Sequence, residues 1–208
     1  VVLSLVTADR ALAAAKDCAS FLTRGAIWCD MNSIAPQTKR AAAQAVEAAG
    51  GRYIDAAILA PVEPARLAVP VLLAGAAADE AVAVLQGLGF TRVRAVGTDV
   101  GRASAIKMIR SVMVKGIEAL TDEMMHAAEA AGVADEVLIS LDASERPWSW
   151  ANRAAYHLER MDRHGLRRAA EMEEAAATLA ALGVDPVMTR ATVRRQHDRG
   201  RAGRSRDA

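Results

Sequence analysis

Aromatic side chains are scarce: two Phe, two Tyr and three Trp make up 3% of 208 residues. So few flat side chains argue against the stacking platforms that grip single-stranded nucleic acid. Two cysteines, Cys18 and Cys29, are too few for a disulfide scaffold in a chain this long and point to a reducing, cytoplasmic setting. Cys29 lies in an apolar run and reads as a buried, inert thiol. Neither sign of charge prevails, with 26 basic against 25 acidic residues, so nothing demands a nucleic-acid or membrane partner. No apolar run approaches the length that crosses a bilayer.

Several chemical signatures are also missing. There is no G-x-x-x-x-G-K-[ST] phosphate loop and no G-x-S-x-G nucleophile turn. The four histidines, His126, His157, His164 and His197, form neither H-E-x-x-H nor a Cys/His spacing, so no metal site is expected. The chain also contains no G-x-G-x-x-G, the turn that usually cradles a dinucleotide pyrophosphate.

What is present is apolar and ordered into alternating segments. The chain is 52% hydrophobic, enough for a sizeable core in one or two domains. Strand signals fall at 1–7, 25–30, 52–58, 69–75 and 91–97, and helix signals at 8–22, 35–51 and 77–89. This alternation predicts a mostly parallel sheet with helices on both faces. Beyond Gly101 only helix signals remain, at 101–131, 134–142, 148–163, 166–182 and 186–197, with Gly165 read as a break. The expected class is therefore α/β followed by all-α: part of a dinucleotide-binding domain over 1–98, a helical domain over 99–197, and a basic, flexible tail over 198–208.

The helix opening at "GRASAIKMIRSVMVKG" carries Ile106, Met108, Ile109, Val112 and Met113 around most of its circumference, and is expected to pack into a core. Lys107 sits among these apolar residues. By pattern alone, Ser104, Lys107, Ser111 and Lys115 form the wet stripe of an amphipathic helix. "DMNSIAP" follows the second strand, where Asn32 and Ser33 could equally cap the helix that begins near Pro36.

The order of these elements, with "DMNSIAP" after a strand and "GRASAIK" opening a long helix, resembles the β-hydroxyacid dehydrogenase superfamily. "RAAYHLERMDRHGLRRAAEM" (153–172) is similar to its phosphogluconate-dehydrogenase-like members with a helical C-terminal domain. The resemblance implies a Rossmann-like domain, NAD or NADP as cofactor, a small hydroxy acid as substrate and a homodimer. It also implies that the chain begins about two βα units late, roughly 60 residues at ~30 per unit, without its glycine turn.

Residue by residue, the resemblance makes Lys107 the general acid/base, which takes the hydroxyl proton as hydride leaves. Apolar surroundings and a neighbouring cation, with Arg110 as candidate, would tune that amine. Asn32 would touch substrate carboxylate or nicotinamide. Ser33, Val6 and Thr7 would line the cofactor. Ser111 stands where relatives carry Asn, and His164 where many carry a second lysine. The loop "DAAILAPVEP" has two prolines in place of a glycine-rich substrate loop, so the substrate pocket is expected to differ. Two rival readings are a non-catalytic helical dimerisation module and an imine reductase-like enzyme. The latter group usually lacks this lysine.

Overall fold

The computed structural model describes residues 1–204. The chain divides into two compact units, Val1–Met113 and Val114–Ala208. The first is a five-stranded sheet flanked by helices. Its strands are β1 (Val2–Ser4), β2 (Ile27–Asp30), β3 (Arg52–Ile58), β4 (Val71–Ala74) and β5 (Val93–Ala95), in that spatial order. Helices α1 (Ala11–Ala19), α2 (Pro36–Ala48) and α3 (Ala78–Gly87) connect them.

Both faces of the sheet are covered, which is why β2 and β4 read as unbroken apolar runs. Ile27, Cys29, Ile54, Leu73 and Leu85 pack on the α3 side. Trp28, Tyr53, Ala15, Ala42 and Val46 pack on the side of α1 and α2.

Three of the four strand pairings are parallel, as the alternation predicts. The exception is β3–β4, which is antiparallel, with Asp55 opposite Ala74 and Ile58 opposite Val71. The 59–70 connection contains only a short 3-10 turn, Arg66–Ala68, and no crossover helix. A parallel return needs such a crossover, and an antiparallel one does not.

Helix α4 (Arg102–Ala131) begins in the first unit and runs into the second. The second unit adds α5 (Ala134–Ser144), α6 (Trp150–Ala181) and α7 (Val187–Arg204). Here the structure corrects the sequence reading twice. Gly165 does not break a helix: it is buried inside one continuous α6. A Cβ there would lie 2.3 Å from the Gln196 carbonyl oxygen and 2.9 Å from Gly200 Cα, so Gly165 exists to let α7 approach. For the same reason 198–204 is helical, not a loose tail. Gly200 and Gly203 press their backbones onto Gly165 and Asp162, and Arg199 forks onto both oxygens of Asp162 at 2.9 and 3.0 Å. The rest of the expected tail lies outside the described residues.

The expectation that α4 is buried also needs correction. Ile109 and Val112 are 73% and 76% exposed, while Ser104, on the polar stripe, is only 2% exposed. At its start the helix turns its polar side to the protein and its apolar side outward. Among the described residues no helix is long and apolar enough to cross a membrane, and no group of three or more His, Cys, Asp or Glu is placed to hold a metal ion.

Candidate functional site

Parallel strands bring their C-terminal ends to one edge of the sheet, where α/β proteins bind ligands. In this chain Ser4, Asp30 and Asp55 lie side by side in register across β1, β2 and β3, and all three are buried. Two carboxylates in adjacent register repel unless a cation lies between them. Lys39 supplies it. It points from the first turns of α2 and is fully enclosed, with Nζ 3.0 Å from Asp30 Oδ1 and 3.6 Å from Asp55 Oδ1. Nζ also donates to the carbonyls of Asp30 (2.5 Å) and Ala56 (3.4 Å).

The remaining carboxylate oxygens face outward to neighbouring segments. Tyr53 donates its hydroxyl to Asp30 Oδ2. Burial, then the Asp30 charge, pushes the Tyr53 phenol far above its ordinary range, so it stays a donor. Asp30 Oδ1 accepts from the Asn32 backbone N–H at 2.9 Å and from Asn32 Nδ2 at 2.8 Å. Asp55 Oδ2 accepts from the N–H groups of Gly101 (3.1 Å) and Ser104 (2.9 Å) and lies 3.1 Å from Ser104 Oγ. Asp55 thereby caps α4 from a different element and places a negative group at its N-terminus. Gly101 is required at the start of this turn. Its φ is +102°, and a Cβ would collide with Arg40 and Pro36 at the start of α2.

Over this buried layer sits a more open one. Lys107, half-buried on the second turn of α4, donates from Nζ to Ser33 Oγ at 2.5 Å. Ser33 is exposed at the end of β2. Val6 and Thr7 follow β1 and are exposed, with the Val6 N–H donating to Asn32 Oδ1 at 2.7 Å. Lys107 and Ser33 thus meet at the carboxyl edge of the sheet, where Asn32, the residue before Ser33, holds the Val6 backbone. Ser111 is half-buried one turn beyond Lys107 on the same face of α4, and Arg110 is exposed beside it.

Two expected site residues sit differently. Asn32 was expected to face a ligand. It is buried, and both amide hydrogens are used internally, on Ser4 Oγ (3.0 Å) and Asp30 Oδ1 (2.8 Å). It organises the strand ends. His164 was expected at a helix end. It is exposed in the middle of α6, in the second unit.

Sequence reasoning missed Lys39, Tyr53, Asp55 and the capping role of Ser104. One signal was available: Lys39 heads the stripe Lys39, Ala42, Ala43, Val46, which is the buried face of α2. A lysine on such a stripe needs a buried partner. Asp55 inside the apolar run "RYIDAAI" supplies one.

The second unit holds an apolar cavity of about 550 Å³, lined among others by Ile117, Leu120, Met124, Leu141, Leu179 and Leu182. Its acidic group, Glu123, is already engaged. Glu123 accepts from the Met188 and Thr189 N–H groups at 2.7 and 2.8 Å and from Thr189 Oγ1 at 2.6 Å, capping α7.

This architecture, a Rossmann-like sheet followed by an all-helical unit, resembles that of the NAD(P)-binding oxidoreductases. Residues 128–198 match the domain of unknown function DUF1932. A conserved hypothetical protein from Sinorhizobium meliloti 1021 is 40% identical, with a TM-score of 0.60 over 94% of this chain and 65% of its own. The conserved protein MTH1747, of unknown function and with structural similarity to 3-hydroxyacid dehydrogenases, is 34% identical, with a TM-score of 0.61 over all of this chain and 77% of its own. The chain belongs to the same family as MTH1747. It spans about half the length, 54%, of a curated relative, an uncharacterised 28.5 kDa protein from Methanothermus fervidus, which is 28% identical over 70% of this chain. Imine reductases share the fold at lower identity. That of Streptomyces aurantiacus is 22% identical, with a TM-score of 0.76 over 97% of this chain and 74% of its own. That of Myxococcus stipitatus, 19% identical with a TM-score of 0.73 over 97% of this chain and 77% of its own, was solved with NADP+.

Proposed function

We propose that this protein is an NAD(P)-dependent oxidoreductase that moves a hydride between the nicotinamide and a small hydroxy acid, with Lys107 as general acid/base. The observation that carries the reading is the meeting of Lys107 Nζ and Ser33 Oγ, 2.5 Å apart, at the carboxyl ends of parallel strands. The residues present suit a nicotinamide: exposed Val6 and Thr7 offer a wall, and the exposed Ser33 hydroxyl offers a partner for its amide. The Myxococcus stipitatus imine reductase, which shares the fold, was solved with NADP+, and NADP is accordingly one of the two proposed cofactors.

A bound nicotinamide would supply the hydride acceptor in oxidation and the donor in reduction. The chain's own residues supply the proton chemistry. In oxidation Lys107 Nζ takes the proton from the substrate hydroxyl as the C–H bond gives up its hydride. In reduction it returns that proton to the carbonyl oxygen. Ser33 Oγ holds the amine in place by accepting its hydrogen bond. Arg110 and Ser111, one turn away, would bind a carboxylate or hydroxyl of the substrate.

A second reading, reduction of an imine, is favoured by the imine reductase fold at a TM-score of 0.76. Both readings are separated by screening the full-length protein with NADH and NADPH against hydroxy acids, their oxo forms and cyclic imines, following nicotinamide absorbance. Turnover of hydroxy acids supports the proposal, turnover of imines alone favours the second reading, and no turnover with either class contradicts both.

The protein is further proposed to be a homodimer. A second copy is the occupant that suits the outward apolar stripe of α4, where Ile109, Val112 and Met113 are exposed together. Val112→Asp should then halve the mass measured by light scattering at micromolar concentration. A monomeric mass for the unaltered protein would contradict this.

A further inference from the structure

We infer that Lys39 is a positioning residue for the Lys107–Ser33 pair: its enclosed ammonium draws together two carboxylates that separately fix the two elements carrying that pair. The inference deepens the reading of Lys107 as acid/base and rests on it for its catalytic meaning. Ser33 stands on the turn after β2, and that turn is held by Asn32, whose backbone and side-chain N–H groups both bind Asp30 Oδ1. Lys107 stands on the second turn of α4, whose first turn is held by Asp55 Oδ2 through Gly101 and Ser104. Asp30 and Asp55 belong to neighbouring strands in register and are both buried. Lys39 faces one oxygen of each, at 3.0 and 3.6 Å.

The charges explain why the link is specific. Lys39, Asp30 and Asp55 together carry one positive and two negative charges. Asp55 Oδ1 accepts no hydrogen bond and has Lys39 Nζ as its facing cation. Without Lys39, two carboxylates would share a dry interior with no cation, a state that buried ions do not tolerate. Neutralising either carboxyl in response turns its hold on Asn32 or on the first turn of α4 from charge-assisted to neutral, and so weakens it. Packing alone does not demand a lysine here. A methionine fills a similar volume but leaves the carboxylates facing each other.

The test reads Lys107 directly and needs neither cofactor nor substrate. The 208-residue protein is acetylated with N-hydroxysulfosuccinimidyl acetate across a pH series. Modification of Lys107 and of exposed Lys16 on α1 is followed by peptide mass. In Lys39→Met, Lys107 should react about fivefold faster, the weight of one lost hydrogen bond of about 1 kcal/mol, and its pH profile should change. Lys16 should keep its wild-type rate and profile, which a general loosening of the fold would not allow. Asp30→Asn preserves volume and leaves the cluster with one cation and one anion. It weakens the hold on Asn32 from charge-assisted to neutral and should raise Lys107 reactivity about twofold. Should Lys39→Met fail to fold, this milder variant decides. A Lys107 rate and profile unchanged from wild type in folded Lys39→Met, or failing that in Asp30→Asn, overturns the inference. A changed Lys107 in a protein that turns over no substrate leaves the inference standing and removes only the proposed function.

Discussion

Replacing Gly165 by alanine would place a methyl group 2.3 Å from the Gln196 carbonyl oxygen and 2.9 Å from Gly200 N and Cα. All three are backbone atoms of α7, so no side chain can rotate out of the way. Reaching the 3.4 Å of ordinary contact requires the helices to part by roughly 1 Å at this point. That separation also loosens Gly200 and Gly203, which make similar approaches. Two effects compete. Alanine gains about 1 kcal/mol over glycine in a helix interior. Overpacking a tight contact costs about 1–3 kcal/mol, and a clash with backbone lies at the upper end. The net loss is about 2 kcal/mol, or roughly 8–16 °C in the melting temperature of a unit this size. Gly116→Ala, within α4, is the control. No atom lies within 4 Å of its Cβ, so only the helix-propensity gain of about 1 kcal/mol applies and the melting temperature should rise. Thermal melts by circular dichroism at one fixed protein concentration read both variants. A Gly165→Ala protein as stable as wild type would refute the packing argument.

Two further outcomes follow from the buried groups. Burial pushes the Cys29 thiol up to about 11, against the weaker opposing effect of Lys39, whereas Cys18 is exposed. Iodoacetamide should therefore modify Cys18 alone in the native protein and both thiols in denaturant, as read by mass. Burial pushes Glu123 up, but the hydrogen bonds from Thr189 and Met188 and the charge of Arg190 outweigh it and hold the carboxyl below its ordinary 4.5. A depressed carboxylate stabilises the fold above its unfolded value and loses that contribution as pH falls from 4.5 through the folded value. Urea midpoints on either side of pH 4.5 should fall with acid in the wild type, and less steeply in Glu123→Gln.

The five strands were legible because each is an apolar run between turn residues. Most helices were legible from punctuation such as Pro36 at the start of α2. The antiparallel β3–β4 pairing was less so, although the missing helix signal across 59–70 was its trace. Gly165 was misread because a glycine in a helical pattern looks the same whether it ends the helix or admits a neighbour. Only the Gly200 and Gly203 backbones opposite decide. The outward apolar stripe of α4 has the same cause: hydrophobic periodicity shows which side wants cover, not what covers it. At the site, Lys107 and Ser33 were named from the sequence and lie within hydrogen-bond distance. Asn32 was named for a ligand and serves the strand ends, because its amide faces Asp30 and Ser4 across adjacent strands. Asp30 and Asp55 lie on different strands, and only the strand register brings them side by side within reach of Lys39.

The central claim is that Lys107 moves the substrate proton. Turnover and cofactor affinity of the full-length protein, measured for Lys107→Ala, Lys107→Arg and Lys115→Ala with whichever substrate the screen yields, test it most directly. Lys107→Ala should lose ~10²–10⁴ in turnover with little change in cofactor affinity. Lys107→Arg should not recover it, because a guanidinium stays protonated. Lys115→Ala, exposed two turns further along α4, should behave as wild type. Full turnover in Lys107→Ala would contradict the assignment.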